Sequence, residues 1–181
     1  MILPITQYGN PILRKKCQRV TEVSHEIREL AADMIETMVD AQGVGLAAPQ
    51  IDRDLQLAIV DVSHDPECIS FLKVDGVESK LEDYMPLVFI NPVLELGKEK
   101  EKSMEGCLSI QGINAEVKRP MVVKAKLEML DGTVIEIETD GLLARAIQHE
   151  TDHLNGVLFT DRLSPAAKVS ARRKLKNLMR S

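Results

Sequence analysis

"AIQHETDHLNG" (146–156) decides how this chain reads, because three titratable side chains, His149, Glu150 and His153, interrupt an apolar pattern. On a helix turning roughly 100° per residue, Leu142, His153, Ala146, Glu150, Leu143, Leu154 and Ile147 share one arc beside His149. Ala144, Arg145, Gln148, Thr151, Asp152 and Asn155 take the opposite arc and are expected to face outward. The two imidazoles and the carboxylate therefore point where the leucines point. Unpaired buried charge is costly, so the interior must hold something matched to these groups.

His-Glu-x-x-His on a helix stacks two imidazoles one turn apart, close enough to bind one metal ion, while the intervening carboxylate reaches a water on that ion. The bland alternative, two satisfied core histidines and a surface glutamate, conflicts with the place of Glu150 on the apolar arc. Two histidines do not complete a site. Beyond Glu150 the chain has no glutamate and only Asp152 and Asp161 as acids, and Phe159 stands where H-E-x-x-H-x-x-G-x-x-H would need its third histidine. The third ligand is expected upstream, among His25, His64, Cys17, Cys68 and Cys107. Cys107 lies in "MEGCLSI" (104–110), an apolar segment next to a glycine that can form a strand edge beside the helix. Alone it reads as a small buried hydrophobe; with two ligand histidines lacking a partner it is favoured. In "GVGLAAPQ" (43–50), small side chains allow close backbone approach to a ligand, and Gln50 offers an amide donor to an oxygen.

The rest of the chain frames these motifs. At 181 residues, 44% apolar and 28% charged, it reads as one globular domain with a real core. Aromatics at 3% and no tryptophan argue against base stacking, so DNA is not an expected partner. Three cysteines without a basic-then-apolar leader point away from a disulfide framework and toward a reducing cytosol. No apolar run reaches the roughly 18 residues of a membrane span. Of 23 Lys and Arg and 28 Asp and Glu, residues 162–181 hold seven cations and no acid, which leaves 16 cations against 28 acids elsewhere. That basic tail reads either as a solvated helix with cations toward its C-terminal end or as a docking element for RNA phosphates.

Ser24 and the spacing of Ile27, Leu30, Ala31, Met34, Ile35 and Met38 predict a helix over 24–41. "LQLAIVDV" (55–62) predicts a buried strand, and "LVFINPVLEL" (87–96) one or two strands interrupted at Pro92. Residues 63–86 read as a surface excursion with a short hairpin. Asp131-Gly132 predicts a two-residue hairpin turn, with Val123, Ala125, Leu127 and Met129 on one face and Ile135 and Ile137 on one face of the return strand. Asp140 is expected to cap the motif helix and Gly156 to end it. The tail from Ser164-Pro165 predicts a helix with a narrow apolar stripe of Ala167, Ala171, Leu175 and Leu178. Together these predict an α+β fold, antiparallel or mixed β-sheets packed around a central metal-binding helix, with an N-terminal and a C-terminal helix.

Three separated blocks, "GVGLAAPQ" (43–50), "EGCLS" (105–109) and "QHETDHLNG" (148–156), resemble in order and wording the signature motifs of the peptide deformylases, and "ITQYGNPILR" (5–14) is similar to that family's N-terminal segment. The resemblance implies metal ligation by Cys107, His149 and His153, with Glu150 as acid and base. It implies that Gln50 and the backbone N–H of Leu108 steady an oxyanion, and that Gly45 contacts the substrate backbone. It implies removal of the N-formyl group from the formyl-methionine of new polypeptides, with release of formate, and Fe²⁺ as the usual ion; Zn²⁺, Ni²⁺ or Co²⁺ suit the same donors. Docking of the basic C-terminal helix on the ribosome follows from the resemblance more than from the residues. Val44, Leu142 and the aliphatic part of Arg145 are expected to form the methionine slot. Gln148 and Asp152 are expected on the helix surface or behind the ligands. Gln111 departs from the proline that many members carry there. Two other readings use the same residues: a metallopeptidase or general amidase, and a non-catalytic protein stabilised by a fourth protein ligand.

Overall fold

A computed structural model describes residues 1–180; residue 181, the last of the basic tail, lies outside the described residues. Helix α1 (His25–Asp40) starts where the Ser24 hydroxyl accepts the Ile27 N–H at 3.3 Å, and it buries Ile27, Ala31, Met34 and Met38. The strands that follow are β1 (Gly45–Ala47), β2 (Leu57–Val60), β3 (Leu72–Val74), β4 (Val77–Glu78), β5 (Leu87–Leu96), β6 (Lys100–Cys107), β7 (Ile110–Pro120), β8 (Val123–Glu128) and β9 (Val134–Thr139). Helices α2 (Gly141–Leu154) and α3 (Pro165–Met179) close the chain. The strands form a seven-stranded sheet in the order β1-β2-β5-β8-β9-β3-β4 and a separate β6-β7 hairpin, and every pairing between strands is antiparallel. The fold is α+β, as expected.

Strand β2 explains why "LAIV" lacks a polar face. Ala58 and Val60 pack with Phe89, Leu127, Leu143 and Ile147 on the α2 side, while Leu57 and Ile59 pack with Met34, Met38 and Leu46 on the α1 side. Side chains alternate between the two faces of a strand, so a strand covered on both must be apolar throughout. A third cluster joins Ile110, Ile113 and Val117 of β7 to Leu158, Phe159, Leu163 and Ala171 under α3.

Several expectations change. The 87–96 segment is one strand, with a bulge between Ile90 and Val93 where Asn91 takes φ 50°. The Asn91 side chain accepts the Val20 N–H and donates to the Val20 carbonyl, which makes the left-handed residue a fastening point for the N-terminal segment. The hairpin at Asp131-Gly132 has a longer loop than a two-residue turn: pairing stops at Glu128 and Val134, and the Met129 N–H bonds the Thr133 carbonyl at 2.8 Å. Asp131 accepts from both the N–H and the hydroxyl of Thr133, which holds that wider loop. Asp140 occupies the N-cap position of α2 without a capping bond, because its carboxylate takes the Phe71 N–H instead. Gly156 follows the end of α2 at φ 74°, as a stop residue should.

The largest correction concerns the outward arc of α2. Ala144, Gln148 and Thr151 are buried. The helix runs through the middle of the molecule, with the seven-stranded sheet on one side and the β6-β7 hairpin and the 159–162 turn on the other. It therefore has no broad solvent face.

Candidate metal centre

Two elements deliver the donor atoms. α2 carries His149 and His153 one turn apart, their ring centroids 5.0 Å apart, and the end of β6 brings Cys107 across to them. Cys107 Sγ lies 3.3 Å from His153 Nε2, and donor atoms of Cys107, His149 and His153 all fall within 4.8 Å of one another. His25 and His64 sit on the surface beside Glu29 and Asp61, Cys17 is buried where its N–H bonds the Leu154 carbonyl, and Cys68 faces Ser70. Of the five upstream candidates, only Cys107 reaches the histidine pair.

The electrostatics match a cation. Burial works against charge on His149, yet Glu150, Cys107 and Glu105 together raise its pKa well above the ordinary imidazole value. Burial and the neighbouring His149 charge keep His153 well below it. The acidic surroundings that hold a proton on His149 favour positive charge there, and a divalent ion ligated by that imidazole takes the place of the proton, while His153 is already neutral.

Glu150 is buried on the same arc, and burial outweighs the pull of His149 and Arg119 to push its carboxyl up to about 7. Its Oε1 is buried with no hydrogen-bond partner among the described residues. Gln50, also buried, is oriented by the Ala47 N–H, which its Oε1 accepts at 2.9 Å. Its Nε2 then faces Cys107 Sγ at 3.5 Å and Ser109 Oγ at 3.1 Å. The N-terminal segment pins both loops: the Thr6 N–H bonds the Gln50 carbonyl, the Tyr8 N–H the Ser109 carbonyl, and the Gln7 amide the Leu108 carbonyl.

Gln50, Cys107, His149 and Glu150 border a cavity of about 390 Å³ that Val44, Gly45, Leu108, Leu142 and Arg145 also line. Met104, largely exposed, stands at its edge. Arg145 does more than present methylenes: its guanidinium pairs with Glu101 at 2.7 Å. Gln111 is exposed at the start of β7.

Sequence reasoning missed the groups behind the ligands. Glu105 Oε1 lies 3.0 Å from His149 Nδ1. Arg119, only 2% exposed, holds both Glu105 oxygens (2.6 and 2.9 Å) and reaches Asp152 Oδ2 at 2.9 Å. Burial pushes Glu105 up, but the His149 and Arg119 hydrogen bonds outweigh it and hold the carboxyl at about 2. Asp152, expected at the surface or behind the ligands, belongs to this network; Gln148 is buried and donates to the Pro120 and Ala144 carbonyls. Phe159, which occupies the third-histidine position of the longer motif, stacks on His149 at a centroid distance of 6.1 Å.

The polypeptide deformylase family pattern matches residues 2–169. A peptide deformylase of Acinetobacter baumannii (strain SDF) is 47% identical over 180 residues, which cover 99% of this chain and 93% of that protein. One from Methylacidiphilum infernorum (isolate V4) is 43% identical, covering 99% and 94%. Among solved structures, a peptide deformylase from Legionella pneumophila is 36% identical with a TM-score of 0.81, covering 99% of this chain and 96% of that one. Another from Ehrlichia chaffeensis is 33% identical with a TM-score of 0.83, covering 99% and 98%.

Proposed function

From the premise that this chain belongs to the peptide deformylase family, we propose how its own residues carry out the reaction. The chain is an enzyme that removes the N-formyl group from the formyl-methionine of nascent polypeptides. Cys107, His149 and His153 hold the divalent ion, and the convergence of that thiol and those imidazoles beside a buried carboxylate carries the reading. When bound, the ion supplies Lewis-acid activation of a water molecule and of the formyl carbonyl.

Glu150 takes a proton from the attacking water, whose oxygen bonds to the formyl carbon. A carboxyl held near neutrality suits an acid and base that must accept and return one proton. The oxygen that gains charge is steadied by the Gln50 amide, pre-set by its bond from Ala47, and by the Leu108 N–H; one such donor contributes about 3 kcal/mol. The C–N bond breaks as Glu150 passes its proton to the departing amine, so the products are formate and a free N-terminus. Gly45 borders the substrate backbone, and Val44, Leu142 and the methylenes of Arg145 flank the methionine side chain.

Fe²⁺ is the native ion in this reading, and Zn²⁺, Ni²⁺ or Co²⁺ suit the same donors. A thiolate-bound ferrous ion is exposed to oxygen, so the iron form should lose activity faster in air than under nitrogen; equal decay would refute iron. Residues 1–181 act as one catalytic domain in the cytosol, where the three unpaired cysteines stay reduced. No helix among the described residues is long and apolar enough to cross a membrane. The α3 cations dock on the ribosome, and loss of salt-sensitive co-sedimentation on deleting 165–181 tests that. The deciding measurement is formate release from a formyl-methionyl tripeptide by anaerobically prepared enzyme. Acetate release from the acetyl-peptide at the same rate would favour a general amidase.

A further inference from the structure

We propose that Arg162 is a positioning residue for His149, acting through Asp152, Arg119 and Glu105; this rests on His149 being a metal ligand. The guanidinium of Arg162 holds Asp152 at both oxygens, Nε to Oδ2 at 2.6 Å and Nη2 to Oδ1 at 2.8 Å. Asp152 Oδ2 also accepts from Arg119 Nη1 at 2.9 Å, and the rest of the Arg119 fork is spent on Glu105. Glu105 in turn meets His149 Nδ1. Cations and carboxylates thus alternate from the 159–162 turn to the imidazole, and each planar fork fixes the next group in two directions.

An isolated surface ion pair contributes little, and Arg162 is half exposed. Its partner, however, is the end of a network whose inner members are almost closed to water: side-chain exposure is 14% at Asp152, 8% at Glu105 and 2% at Arg119. Without Arg162, Asp152 Oδ1 loses the one partner it has among the described residues. The carboxylate can then turn toward solvent, Arg119 loses its third bond, and Glu105 is no longer held against a fixed fork. The imidazole orientation follows Glu105, because the group on Nδ1 sets which nitrogen and which ring plane face the ion.

Arg14 provides a matched comparison. It pairs with Asp161 of the same turn at 2.5 Å with nearly the same exposure as Arg162, but among the described residues no hydrogen bond joins that pair to Asp152, Arg119 or Glu105. The test loads wild type, Arg162→Ala, Arg162→Lys and Arg14→Ala with Co²⁺ and follows loss of the cobalt–thiolate absorption after EDTA is added. Direct outer partners of metal ligands change affinity about 10–100-fold; three links further out, we expect Arg162→Ala to release cobalt about 3–10-fold faster. Lysine, which cannot hold both oxygens, should restore part of the difference, and Arg14→Ala should match wild type. Thermal unfolding of the metal-free proteins should stay cooperative in both alanine variants, so that release is compared between folded chains. Wild-type release from Arg162→Ala, or equally fast release from Arg14→Ala, would overturn the role of Arg162 alone. Failure of wild type to take up cobalt at all would overturn the ligand assignment with it.

Discussion

Gly45 and Glu150 are in contact: a Cβ on residue 45 would stand 2.8 Å from Glu150 Cδ and 3.0 Å from its Cγ. The first motif therefore needs glycine for packing alone, since any side chain there displaces the Glu150 carboxylate. Gly45→Ala should lower kcat roughly 100-fold, the scale of an ångström-size misplacement, while metal content stays at one ion per chain. Unchanged kcat in that variant would show that Glu150 has room to move.

Glu150→Gln keeps the shape of the side chain and removes its ability to accept a proton. Formate release should fall about 10²–10⁴-fold, with cobalt absorption and thermal stability close to wild type. Full activity would remove Glu150 from the mechanism and leave its burial unexplained.

Glu105→Gln leaves Arg119 buried with half its charge partners gone. Breaking a buried pair in this way costs about 3–5 kcal/mol, readable as a lower urea midpoint for the metal-free protein. Metal should also leave about 10–100-fold faster. If denaturation midpoint and release rate both match wild type, the Glu105–His149 contact is incidental.

These charged groups show where the sequence could be read and where it could not. His149, Glu150 and His153 were legible because polar residues stood on an apolar arc, and Cys107 because few other donors were available. Glu105 was not legible, since β6 carries charged or polar residues on both faces and looks like surface, and Arg119 was not, since it follows Glu116 and Lys118 in a β7 segment that reads as solvated. A signal was present: Arg119 lies in strand phase with the buried Ile113 and Val117, and Glu105 lies two residues from Cys107. The outward arc of α2 misled for a related reason. A helical wheel divides a helix into core and solvent, whereas Gln148 and Asp152 face other protein and spend their polar atoms there.

Cys17 gives a pH test away from the metal donors. Burial chiefly raises its thiol from 9.0 to about 11, so the folded state keeps a proton that the unfolded chain loses in between. Stability should hold below pH 9 and decline as pH rises from 9 to 11. Cys17→Ala should lose less Tm than wild type across that interval, whatever its Tm at pH 8; parallel losses would contradict the assignment. At pH 8, iodoacetamide should modify Cys17 only after unfolding.

The β6-β7 hairpin lies outside the seven-stranded sheet, and it alone among the strands brings a side chain, Cys107, to the paired imidazoles of α2. A metal ion bound by these three residues would therefore cross-link the helix to an arm that the main sheet does not hold. Chelation should slacken that arm, and with it the cavity wall bearing Ser103, Met104 and Gly106, so that the chain would give up its grip on peptide in the same event that removes its chemistry.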